Sequence, residues 1–131
     1  MIMVCVTNQL NCAEMISYAG RLAKYENDSL VVLHICKEDA NILGYSDDGE
    51  ALQYLYDHTR AVGAEMQFIR SDKISQSIVD YAKSENIKKI IIGRWHSSGE
   101  ESYIYKKLNE RLPQVEIIGY EKEEKRNISV S

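Results

Sequence analysis

The residues best suited to chemistry gather in one polar stretch, Gly93-Arg94-Trp95-His96-Ser97-Ser98-Gly99, with Ser102 just beyond it. Gly93 and Gly99 permit backbone conformations that expose amide groups. Ser97, Ser98 and Ser102 add hydroxyl donors, and Arg94 and His96 can supply positive charge. Ser102 falls near an expected helix N-terminus, where backbone N–H groups favour anions. Such a stretch could hold phosphates; two glycines at this spacing also occur in plain surface loops. Trp95 could stack on a base, anchor its loop to the body of the domain, or pack at an interface. A second polar turn, Thr7-Asn8-Gln9, follows the first apolar run, and His34 and Cys36 close the second. His34 could lie beside an adenine or be a hydrogen-bonded core histidine. Cys36 could touch a ligand or simply pack.

Other chemistries find less support. The cysteines, Cys5, Cys12 and Cys36, are odd in number and lack zinc or thioredoxin-type spacing. Cys12 sits near an expected helix start, which could lower its pKa and make it reactive; the alternative is a small packing residue or a partly exposed neutral thiol. His34, His58 and His96 have no metal-like spacing. No Ser-His-Asp or Cys-His arrangement is suggested, and no carboxylate pair stands out. Glu100 and Glu101 read as acids of a helix N-terminus. An enzyme is the weakest reading.

The elements that must position these residues are legible as five apolar runs alternating with four helical patterns. The runs span residues 2–6, 30–35, 65–70, 87–92 and 115–120. The first two are continuous, as expected for strands covered on both faces. The third alternates, with Met66 and Phe68 against Glu65 and Gln67, which suits an edge strand. Met15, Ile16, Ala19, Leu22 and Ala23 define the face of a first helix, which Asn11 and Glu14 would open as a capping box. A long polar loop over 37–49 precedes a second helix, and Gly63 stands just past its end. Asp72 is placed to cap a third, and Pro113 stops the fourth.

Strict βα alternation predicts a single-domain open parallel five-stranded sheet with helices on both faces. With strand order 3-2-1-4-5, the order reverses between the first and fourth strands. Ligands bind at such a reversal, at the carboxyl ends of the strands. The expected contact set is therefore Thr7, Asn8, Gln9, His34, Cys36, Gly93, Arg94, His96, Ser97, Ser98, Gly99 and Ser102. The domain is expected over 1–120, with a charged tail over 121–131.

The chain has 131 residues and a net charge of −4. It carries no basic excess of the kind non-specific nucleic-acid binding needs. No apolar run approaches the roughly 18 residues of a membrane span. The start of the chain lacks signal-peptide features, so a cytoplasmic location is expected.

The segments VCVTNQLNCAEMISYAGRLA, KKIIIGRWHSS and LNERLPQVEIIGY resemble the universal stress protein family. The first is closest to the variant in osmosensitive potassium-sensor histidine kinases, with Val4-Cys5-Val6, a short polar turn and Asn11. The resemblance implies the 3-2-1-4-5 order and adenine-nucleotide binding (ATP, AMP or another) in a regulatory or signalling protein. It also implies a homodimer through Glu116, Ile117, Ile118 and Gly119, and a signalling partner protein. ATP-binding members carry an aspartate at the end of strand one and a G-x-x-G-x9-G-[ST] loop after strand four. Here Thr7 stands at the aspartate and His96 at the second glycine. The alternative function is a dimerisation or interaction module that binds no nucleotide.

Overall fold

A computed structural model describes residues 1–7, 11–93 and 100–120, the side chains of 100–102 excepted. The chain runs β1 (Ile2–Val6), α1 (Cys12–Glu26), β2 (Leu30–Cys36), a 3-10 turn (Ile42–Gly44), α2 (Asp48–Ala61), β3 (Glu65–Arg70), α3 (Ile74–Ser84), β4 (Lys89–Gly93), α4 (Glu100–Arg111) and β5 (Glu116–Tyr120). The strands form one parallel sheet in the order β3-β2-β1-β4-β5. The five-stranded parallel α/β fold is as the alternation predicts, and the strand order is the one the resemblance implies.

Every residue of β1 and β2 is buried, because each strand packs a different cluster on each face. Val4, Val6 and Val32 face α1 and α2, with Met15, Ile16, Ala51 and Leu55. Met3, Cys5, Leu33 and Ile35 face α3 and α4, with Ile78, Val79, Ile104 and Leu108. Two-sided burial explains why these runs are continuous rather than alternating. At the sheet edge, β3 keeps Glu65 and Gln67 exposed and Met66 and Phe68 partly buried.

The helix boundaries follow local chemistry, with differences from expectation. The α2 start is capped: the Asp47 carboxylate accepts from the Glu50 N–H at 3.1 Å. That helix therefore begins within the stretch expected as loop, which also contains the 3-10 turn. Gly63, at φ 69°, takes the left-handed conformation that glycine tolerates, and its N–H bonds the Arg60 carbonyl. Asn11 does precede α1, but at φ 64° and with no side-chain cap, so the capping box does not form. Asp72 does not cap α3 either. Lys73 holds the N-cap position, and the Asp72 carboxylate instead accepts from the Glu38 N–H at 3.1 Å. A long-range partner outcompetes the local one there. The fourth helix begins at Glu100, so Ser102 lies within its first turn rather than ahead of it.

Candidate functional site

The register places the carboxyl ends of the central strands side by side. Val6 pairs with His34 and Cys5 with Ile92, which brings Gly93 level with Val6. Cys36 closes β2 opposite Arg70 of β3. Thr7, Cys36 and Gly93 therefore share one edge of the sheet. Between β1 and β4 the strand order reverses, with α1 and α4 on opposite faces, the place where ligands bind in open parallel sheets. Asn8, Gln9, Arg94, His96, Ser97, Ser98 and Gly99 lie outside the described residues, as does Trp95. Ser102 is placed as part of α4, but its side chain is not described.

His34 sits at this edge, yet its ring is turned into the protein and is 0% exposed. Its Nδ1 lies 2.7 Å from the Val6 carbonyl oxygen. Its Nε2 accepts from the Leu43 N–H at 3.2 Å. A carbonyl can only accept and an amide can only donate, so the ring is the neutral Nδ1–H tautomer. Phe68 packs against it at 5.5 Å between centroids. Burial, and secondarily the Arg70 charge, hold its pKa below the ordinary histidine range, although the Val6 bond acts the other way. Both polar atoms of His34 thus serve the fold, which is the core-histidine alternative of the two weighed for it.

Cys36 is 5% exposed, and Arg70 Nη1 lies 3.6 Å from its sulfur. Burial raises the thiol's pKa against the opposing effect of Arg70. The same guanidinium nitrogen donates to the carbonyls of Lys37, Glu38 and Ala40 at 3.2, 3.1 and 2.9 Å. Arg70 also lies over Phe68, 5.5 Å from the ring centroid. It thereby clasps the start of the connector that leaves β2. No local signal marks this role, since its partners stand 30–33 residues away. Leu43 was equally hidden. It is fully buried at φ 54°, a backbone conformation unfavourable for leucine.

Cys12 begins α1 but is 0% exposed within the α1–α2 core. Burial pushes its thiol up to about 12, so the reactive reading fails: desolvation exceeds whatever the helix terminus offers. Cys5, inside β1, is likewise pushed up to about 12 by burial. Among the described residues there is no cluster of three metal-ligating side chains. No described helix is long and apolar enough to cross a membrane.

The profile of the universal stress protein family matches residues 1–112. The chain belongs to the universal stress protein family. Solved universal stress proteins share its architecture. One, in complex with cAMP, is 16% identical, with a TM-score of 0.63 over 90% of this chain and 95% of that one. Another, from Archaeoglobus fulgidus in complex with dAMP, is 18% identical, with a TM-score of 0.62 over 90% and 94%. The UspA protein of Lactobacillus plantarum is 16% identical, with a TM-score of 0.60 over 90% and 96%. At these identities the likeness establishes the fold. No curated protein sequence matches the chain.

Proposed function

We propose that this universal stress protein is a regulatory or signalling protein that binds an adenine nucleotide in the crevice between β1 and β4. The observation that carries the reading is the convergence of Thr7, Cys36 and Gly93 at the carboxyl edge where the strand order reverses. The solved relatives in complex with cAMP and dAMP support an adenylate of this kind. In this reading the loop over 94–99 supplies phosphate contacts through Arg94, His96, Ser97, Ser98 and Gly99, with Ser102 following. Asn8 and Gln9 border the other side with Thr7. His34 supports the pocket through the backbone and donates nothing to the ligand. Addition of AMP to labelled protein is expected to shift the amide resonances of Thr7 and Gly93 before those of β3. A uniform response, or none, would remove the proposal.

A second reading is a contact-only module akin to the sensor-kinase domain. Thr7 favours it, standing where ATP-binding members carry an aspartate, as does a His34 whose nitrogens are both taken. Either reading accommodates a cytoplasmic homodimer formed along β5, which among the described residues pairs with β4 alone. Glu116 is exposed there, while Ile117, Ile118 and Gly119 are partly buried. Edge strands of this kind need a cover. Light scattering should give twice the chain mass; a monomer at all concentrations would exclude the dimer.

A further inference from the structure

We propose that His34 is a proton-operated latch, fastening the connector between β2 and α2 to the crevice end of β1. The connector leaves the sheet at Cys36 and reaches the start of α2 at Asp48. Besides Asp72, which accepts from the Glu38 N–H, two side chains fasten it. Arg70 grips its first part through the carbonyls of Lys37, Glu38 and Ala40. His34 grips its middle, joining the Leu43 amide to the Val6 carbonyl. Val6 directly precedes Thr7, so the second fastener acts on the edge of the candidate crevice.

The two fasteners differ in kind. A guanidinium keeps its charge at any physiological pH. An imidazole does not, and this one works only in its neutral form. Proton uptake at Nε2 would convert the acceptor for Leu43 into a donor facing another donor. The Leu43 amide would then be a buried N–H without its partner. Leu43 is a sensitive place for such a loss, because its backbone is held in the left-handed region while its side chain is fully buried.

The groups around the ring set the direction. From β1 the ring meets the Val6 carbonyl, and from the 3-10 turn the Leu43 amide. From β3 it meets the uncharged Phe68 ring and the field of Arg70, the charged group that bears on it. Burial and that cation oppose protonation, so the latch is closed at neutral pH and opens in acid.

The test uses the full chain, isotopically labelled and free of nucleotide, from about pH 7.5 down to about pH 5. The His34 ring nitrogens should report the Nδ1–H tautomer at the upper end and protonation toward the lower. Over the same transition the Leu43 amide should lose protection from exchange by at least about tenfold, after correction for intrinsic rates. The Leu33 amide, inside β2, should keep its protection. His34→Gln offers one donor and one acceptor that do not titrate, so Leu43 should stay protected throughout. If that variant does not fold, the wild-type titration decides alone. A ring that stays neutral over the range would overturn the proposal. So would a ring that titrates while Leu43 protection is unchanged. With no nucleotide present, the outcome is independent of whether the crevice binds one.

Discussion

Val62 lies so close over Gly20 that a Cβ built on the glycine would stand 2.7 Å from Val62 Cγ1 and 2.8 Å from its Cβ. Gly20 is in the middle of α1, and Val62 immediately follows α2. Glycine in mid-helix costs roughly 0.5–1 kcal/mol relative to alanine, so Gly20→Ala brings a gain in helix propensity. The overlap falls on a stiff β-branched side chain, and overpacking typically costs about 1–3 kcal/mol. The overlap wins. Gly20→Ala is expected to lower stability by about 1 kcal/mol in urea unfolding. An unchanged or raised midpoint would show that the two helices are less closely apposed.

Arg70 should not tolerate lysine. Its guanidinium serves three carbonyls while lying over Phe68. All three bonds leave one nitrogen, Nη1, and a lysine ammonium, a compact point charge, lacks the flat guanidinium that lies over Phe68. These bonds are solvent-exposed, so the expected loss in Arg70→Lys is modest, about 1 kcal/mol. Limited proteolysis is the more specific readout, since the segment after Cys36 should become the first site of cleavage. Cleavage unchanged in place and rate would contradict the clasp.

The cysteines should be silent toward thiol reagents in the native state. Cys5 and Cys12 are buried and pushed up to about 12, and burial also raises Cys36. Iodoacetamide at mild alkaline pH should label them quickly only after denaturation, as read by peptide mass. Rapid native labelling of Cys12 would contradict its buried place at the start of α1.

His34 should make the fold sensitive to acid. Its pKa is lowered in the folded chain relative to an exposed histidine, chiefly by burial. At pH values between the folded and unfolded pKa, the unfolded chain therefore binds more protons than the folded one. Stability falls as pH drops in that window. The contribution is complete above the ordinary histidine pKa and lost as pH falls through the depressed one. In melting curves from neutral to mildly acidic pH, wild type should lose more stability than His34→Gln. Parallel curves would place the acid sensitivity elsewhere.

Much of the fold was legible because burial leaves a local mark. The unbroken apolar runs of β1 and β2 report two-sided covering, and the alternation of β3 reports an edge. Gly63 and Pro113 mark helix ends through backbone constraints that act on single residues. The misreadings arose where a distant partner decided the outcome. Asp72 looks like a helix cap until Glu38 is brought beside it, and the open choice at Cys12 is decided for packing by the core neighbours that desolvate it. The placement of Thr7, Cys36 and Gly93 followed from strand order. The polar connections of His34 and Arg70 did not, because their partners are set by tertiary folding.

Nucleotide binding is tested most directly by the melting temperature of the purified chain with ATP, ADP, AMP and cAMP, each at millimolar concentration. A ligand that binds only the native state stabilises it by about 2.7 kcal/mol at a hundredfold excess over Kd. A clear rise is expected with at least one of these adenylates. That rise should be lost in Gly93→Val, shown to be folded, because the added bulk sits at the buried end of β4 beside the proposed site. No rise with any of the four would contradict nucleotide binding and leave the contact-only module as the function of this fold.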